Sequence, residues 1–215
     1  MAARFWDRMA TTYETDNAYV AGQDLMEEMR SAAARALPDG DVVELGCGTG
    51  WFTRAYAPRC RSVVAVDASP AMLKEAERTL GVHPHVSLRL ADARETGLPA
   101  ASADAVLIAN VLDIVREPGA IVAEAARLLR PGGVLLIANF ATEGMTVRQR
   151  AIGAYRLLRR WRLMSGGRQG RFLTLAALLA LVRAAGFPTP EGHVLRGRSV
   201  NAVQVRAVKP STVGP

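Results

Sequence analysis

The segment "VVELGCGTG", residues 42–50, constrains this 215-residue chain more than any other. An apolar run leads straight into Gly46, Gly48 and Gly50, spaced two apart, and a helical pattern follows. Glycine lacks a Cβ, so it tolerates positive φ and lets another group approach the backbone closely. A strand, a glycine turn and a helix together open a βαβ unit.

The same alternation runs on. "RSVVAVD" (61–67), "HVSLRLAD" (85–92), "ADAVLIAN" (103–110) and "VLLIANF" (134–140) read as strands. The unbroken apolar run of 103–110 suits a strand covered on both faces. Ser69 and Pro70 give an N-cap and first-turn signal for a helix ending at Gly81. Pro131, Gly132 and Gly133 stop a helix over 119–130, and Thr174 caps one that ends at Gly186. Residues 1–37 read as helical, with "FWDRMATTYE" and "GQDLMEEMRSAAARAL" as two pieces. "HVLRG" and "NAVQVRAV" add two closing strands whose short connection permits only an antiparallel hairpin. The pattern predicts an α/β fold with a doubly wound sheet of seven strands, the last antiparallel, and helices on both faces.

The glycines admit three readings. One is a tight turn with no ligand. A second is a dinucleotide site, whose G-x-G-x-x-G pattern needs a third glycine where this chain has Trp51. A phosphate loop fails as well, since no Gly-Lys-Ser/Thr follows. The third is an adenosyl ligand without phosphates. Asp67, 23 residues after Glu44, stands where a carboxylate would grip ribose hydroxyls. Asp92 closes the third strand, where it would accept from an adenine amino group. Glu44/Gly46, Asp67 and Asp92 end three successive strands at the carboxyl edge, where ligands of open α/β sheets bind.

With these residues in place, the chain resembles the class I S-adenosylmethionine-dependent methyltransferases of small-molecule type. The resemblance covers residues 40–140, through "VVELGCGTG", "VVAVDASPAML", "LADARETGLPAASADAVLIANVLDIV" and "EAARLLRPGGVLLIANF". It implies a Rossmann-like seven-stranded sheet with a reversed last strand, and S-adenosyl-L-methionine as cofactor, with S-adenosyl-L-homocysteine as product. It implies that Glu44, Gly46, Cys47, Gly48 and Gly50 line the methionine side, Cys47 as a small loop residue rather than a nucleophile. Asp67 then takes the ribose hydroxyls, Ala68 lies at the adenine, Met72 packs on its face, and Asp92 and Ala93 flank its edge. Asn110 reaches the methionine amine through its carbonyl, with Val111 beside it. The N-terminal helix folds over the cofactor and Tyr13 touches the methionine carboxylate. The implied plan is one domain: a helical cap (1–39), a cofactor-binding core (40–140), a lid insertion (145–171), and a C-terminal helix and hairpin (172–209).

Methyl transfer from a sulfonium needs mainly an aligned acceptor, and a base only if the acceptor arrives protonated. Tyr13 and Asp113 are the acceptor-side candidates, Asp113 because it lies three residues past Asn110; the plainer reading of Asp113 is a helix-start residue. The segment 148–171 carries eight Arg and no acid. On a helical wheel Leu157, Leu158, Trp161 and Met164 share a face, with Arg156, Arg159 and Arg160 away from it. A solvated Arg face is favoured over docking on an anionic membrane.

The net charge is +7, nearly all of it from Arg, and no nucleic-acid module is recognisable. Two cysteines and three histidines give neither a disulfide framework nor a metal site. No secretory signal pattern is read, and the longest apolar run, 172–182, falls short of the roughly 20 residues a bilayer span needs. The expectation is a cytoplasmic enzyme that methylates a small molecule. The alternatives are a lipid-head-group methyltransferase at a membrane surface and a cofactor-binding relative that transfers nothing. The sequence leaves the acceptor and the oligomeric state open.

Overall fold

The computed structural model describes residues 2–161 and 172–211. Its sheet has seven strands: β1 (Asp41–Leu45), β2 (Ser62–Asp67), β3 (Val86–Leu90), β4 (Ala103–Ala109), β5 (Leu129–Ala141), β6 (Glu191–Leu195) and β7 (Asn201–Val208). Their spatial order is β3-β2-β1-β4-β5-β7-β6. The first five run parallel, and β7 runs antiparallel to both β5 and β6. Among the described residues eight α-helices surround the sheet: α1 (Ala2–Met9), α2 (Tyr13–Ala21), α3 (Gln23–Ala36), α4 (Thr53–Tyr56), α5 (Pro70–Leu80), α6 (Pro118–Leu128), α7 (Val147–Trp161) and α8 (Leu175–Ala184).

Side-chain alternation along each strand builds two cores. Val43, Leu45, Val106, Ile108, Leu135 and Ile137 pack under α6 and α8, with Ile121, Ala125, Leu178 and Val182 facing them. Val42, Val63, Ala105, Leu107, Val134 and Leu136 pack under α3, against Leu25, Met29 and Ala33. β4 is buried almost throughout, as its unbroken apolar run demands. A third, smaller cluster joins α1 to α5 through Met9, Ala10 and Met72.

Local signals worked where predicted. The Ser69 hydroxyl accepts from Met72 N and the Thr174 hydroxyl from Ala177 N, each capping its helix. The expected helix "FWDRMATTYE" is instead broken at residues 10–12, and α2 begins at Tyr13. The Thr12 hydroxyl donates to the Asp16 carboxylate across the first turn of α2. β5 starts before the Pro-Gly-Gly stop: Leu129 pairs Ala103, residues 130–133 bulge out, and pairing resumes at Val134. At the amino edge of the sheet, Arg61 and Arg130 bridge Asp41 and Asp104, tying the strand starts together.

The chain winds away from β1 in one direction and from β4 in the other. β1 and β4 are neighbours, so their carboxyl ends bound a crevice, the usual ligand position in open α/β sheets.

Candidate cofactor cleft

A cleft of about 530 Å3 opens at that switch point. It is floored by residues following β1, β2, β3 and β4: Gly46 and Gly48, Asp67 and Ala68, Asp92 and Ala93, and Asn110 and Val111. Trp6 and Tyr13 close it from the N-terminal helices.

The three glycines have three different neighbours. All have positive φ, +80°, +56° and +78° for Gly46, Gly48 and Gly50. A Cβ on Gly46 would overlap the Val111 side chain. One on Gly50 would come within 2.7 Å of Leu80 Cδ1, so Gly50 serves helix packing and does not line the cleft, contrary to the expectation. Gly48 has only Tyr13 Cε1 near, at 3.7 Å, so it is the glycine whose bare backbone meets open space. The turn is tied to β2: the N–H groups of Gly46 and Cys47 donate to Val66 O at 2.8 and 2.9 Å.

Asp67 joins this turn to the next helix. Its Oδ2 accepts from Gly48 N at 2.8 Å and its Oδ1 from Ser69 N at 2.9 Å. Burial raises its pKa against the pull of those N–H groups. Glu44 is buried, and its Oε2 accepts from Thr53 Oγ1 and Tyr56 Oη, both at 2.6 Å. Burial pushes its pKa up to about 7. Glu44 and Cys47 line a narrower extension of the cleft beside Tyr13 and Asn17. The Cys47 thiol is held well above its usual pKa by burial and by Asp67 and Glu44, so it stays protonated and a poor nucleophile.

Tyr13 is held over the glycine turn by its own helix. The neighbouring Glu14 accepts from Thr49 Oγ1 at 2.7 Å and from Arg54 Nη2 at 2.9 Å. Burial pushes the Tyr13 phenol up to about 12, so it is a donor at neutral pH. From α1, Asp7 accepts from Ser69 Oγ at 2.6 Å. Trp51 stands between the guanidiniums of Arg30 and Arg54, 4.7 and 4.9 Å from its ring centre. In sequence it stands at the third glycine of the dinucleotide pattern.

Asn110 adopts φ +55°, a conformation Asn tolerates better than most residues. Its side chain accepts from Phe140 N at 3.1 Å, leaving the backbone as the group it presents. Met72 is buried at the cleft wall. Asp92 is already engaged: Arg94 contacts both oxygens, Nε–Oδ1 at 3.1 Å and Nη2–Oδ2 at 2.7 Å, and holds the carboxyl below its usual pKa. Arg94 also reaches Glu117 at 2.7 Å, from the loop before α6. Arg94 and Glu117 escaped the sequence reading because no spacing rule relates residues 23 apart in different loops.

Asp113 does not line the cleft. It lies in the turn after β4, where its Oδ1 accepts from Leu173 N at 2.9 Å. Burial raises its pKa to about 6, opposed by that N–H and by the facing Asn139 amide. The segment expected as a lid is described only through α7. Arg156 faces inward there, to Tyr19 O and Ser199 Oγ, while Leu158 is exposed, the reverse of the wheel expectation. The side chains of Leu157, Arg160 and Trp161, and all of Met164, lie outside the described residues.

The residues fit an adenosyl ligand. A carboxylate with free lone pairs stands beside a side-chain-free backbone, and apolar walls flank both. Among the described residues no group of His, Cys, Asp or Glu is placed to hold a metal ion, and no helix is long and apolar enough to cross a membrane.

Comparison with known proteins agrees with this geometry. Residues 43–137 match the family model described as "Methyltransferase domain". The malonyl-[acyl-carrier protein] O-methyltransferase of Hahella chejuensis is 30% identical over 212 residues, 95% of this chain and 67% of that protein. The phosphatidylethanolamine N-methyltransferase of Cereibacter sphaeroides is 36% identical over 113 residues, 51% of this chain and 55% of that protein. The matched regions span about half to two thirds of the length of these curated relatives. Among solved structures, an S-adenosylmethionine-dependent methyltransferase from Thermotoga maritima superposes with TM-score 0.75 at 22% identity, covering 96% of this chain and 99% of that one. With the fold, the switch-point cleft and a similarity that spans 95% of this chain in agreement, the chain belongs to the class I S-adenosylmethionine-dependent methyltransferases.

Proposed function

We propose that the protein transfers a methyl group from S-adenosylmethionine to a small-molecule acceptor by in-line displacement. The observation that carries this reading is the Asp67 carboxylate, bonded to Gly48 N at the floor of the cleft with lone pairs still free. Relatives that methylate a malonyl thioester carrier and demethylmenaquinone support the substrate class.

When bound, S-adenosylmethionine supplies a methyl already activated on a sulfonium. In this reading Asp67 accepts from two ribose hydroxyls, and Ala68, Met72 and Ala93 flank the adenine. Asp92 meets the adenine amino group only with the lone pairs that Arg94 leaves. Gly46, Cys47, Gly48 and Glu44 surround the methionine end, the Asn110 carbonyl accepts from its amine, and Val111 braces Gly46. Gly50 acts at one remove, by letting α5 pack close. The Tyr13 hydroxyl donates at the methionine end and, with Trp6, keeps water from the transferring group. That exclusion and alignment are the main protein contributions, together roughly 7–11 kcal/mol at best.

Asp113 serves the acceptor side by fixing Leu173. In this reading residues 1–39 serve as the cap, 40–140 as the core, 145–171 as the lid and 172–209 as the closing helix and hairpin. The test is turnover. The purified chain, given S-adenosylmethionine and a panel of thioester, quinol, amine and phospholipid acceptors, is expected to release S-adenosylhomocysteine with at least one. A chain that binds the cofactor and turns over with none would be the non-transferring relative.

A further inference from the structure

The helix α7 packs with its amphipathic sense inverted. Its inward side is polar or small. Gln149 Nε2 donates to Gly197 O at 2.7 Å, Arg156 Nη1 donates to Tyr19 O and Ser199 Oγ, and a Cβ on Gly153 would sit 2.9 Å from Ser199 O. Its first turn is fixed by a capping box: Gln149 N donates to Thr146 Oγ1 at 3.2 Å, and Gln149 Oε1 accepts from Thr146 N at 2.8 Å. The rotation of the helix about its axis is therefore set by bonds along its length.

That rotation turns Val147, Ala151, Ala154 and Leu158 to solvent as one stripe, at i, i+4, i+7 and i+11. Val147 is 85% exposed and Leu158 64%. Tyr155, 58% exposed, widens the stripe. Exposed Arg150 flanks it on one side, and exposed Arg148 and Arg159 on the other. No acidic residue occurs between Glu143 and Glu191. A lid helix that merely sat in water would bury the apolar stripe and expose Gln149 and Arg156. An apolar stripe between cationic flanks, held outward by a fixed polar underside, is the arrangement of a helix lying in a lipid headgroup layer.

The geometry points to α7 as a docking element for an anionic lipid surface. The helix follows β5 at the carboxyl edge of the sheet and packs beside α2, which covers the cleft with Tyr13. Docking through α7 brings that edge toward the surface, so that an acceptor held in lipid has a short path to the cleft. This consequence for the acceptor rests on the methyl-transfer reading; the docking itself does not.

The experiment is co-sedimentation of the full chain with phosphatidylcholine vesicles, with and without phosphatidylglycerol. Calorimetric titration with S-adenosylhomocysteine runs on the same preparations. The chain is expected to pellet with the anionic vesicles and not with phosphatidylcholine alone. Val147→Glu/Leu158→Glu removes the stripe and leaves the arginines; Arg148→Gln/Arg159→Gln does the converse. Each should weaken vesicle binding about tenfold to thirtyfold, from roughly one basic or apolar contribution per residue at the surface, while S-adenosylhomocysteine affinity is unchanged. A chain that stays in the supernatant with anionic vesicles overturns the proposal. So does vesicle binding that ignores the glutamate pair, or binding only to poly-glutamate, which would make α7 a plain charge patch for acidic protein. Loss of vesicle binding with intact S-adenosylhomocysteine binding removes the docking alone. The opposite pattern removes the methyl-transfer reading and leaves the docking standing.

Discussion

Asp67 accepts the Gly48 N–H on Oδ2 and the Ser69 N–H on Oδ1, the Ala68 N–H also acts on it, and a carboxylate offers about four lone-pair positions. The capacity that these N–H groups leave is what ribose hydroxyls would take. Asp67→Ala is therefore expected to weaken S-adenosylhomocysteine binding by about 1.5–3 kcal/mol, the usual value for hydrogen bonds to a charged group. Unchanged affinity in a folded variant, measured by calorimetry, would place the ribose elsewhere. Asp113 has a different task, since its carboxylate holds Leu173 N. Asp113→Asn keeps an acceptor oxygen there, so kcat should stay within about tenfold of the parent, against the roughly 10²–10⁴ lost with a true general base. The same variant has a pH signature. The folded pKa of about 6 lies above the ordinary 3.8. Between these values the folded state holds the extra proton, so stability falls as pH rises through the window. Asp113→Asn removes that slope, so relative to the parent it should gain stability at pH 7 over pH 4, read from denaturant melts at the two pH values.

At the scale of elements, much was legible because the signals are local. The Ser69 cap lies next to its helix, and the closing strands are too near each other to be anything but a hairpin. The carboxylates at the end of β2 and just past β3 follow from strand boundaries alone. What stayed hidden depends on partners far along the chain. A helical wheel of α7 separates two faces but cannot say which one meets the protein body, because Gln149 and Arg156 find their partners at Gly197, Ser199 and Tyr19. Gly50 looked like a cofactor glycine because its neighbour, Leu80, is thirty residues away in sequence. Glu124 is another such case. From α6 it accepts from Thr96 N at 3.0 Å and Thr96 Oγ1 at 2.6 Å, and pairs with Arg127. These donors hold its pKa at about 2, below the ordinary 4.5, with Arg127 the largest cause. Its stabilisation is present above pH 4.5 and lost as pH falls toward 2. Glu124→Gln should cost about 1.5–3 kcal/mol at pH 7 and much less at pH 3, read by chemical denaturation. An equal loss at both would mean that packing, rather than the charge, does the holding.

At the scale of the whole molecule, the sheet divides its labour between its edges. The amino edge is tied by the Asp41, Asp104, Arg61 and Arg130 network. The carboxyl edge gathers the glycine turn, Asp67, Asp92, Asn110 and the covering α1 and α2 around the point where the winding reverses. This crevice suits an adenosyl ligand without a pyrophosphate, because Gly48 bares its backbone beside Asp67 and Trp51 replaces the third glycine of the dinucleotide pattern. Calorimetric titration of the full chain with S-adenosylhomocysteine and, in parallel, with NAD tests it most directly. The account predicts saturable binding of S-adenosylhomocysteine and none of NAD at the same concentrations; tight NAD binding with no S-adenosylhomocysteine binding would contradict it.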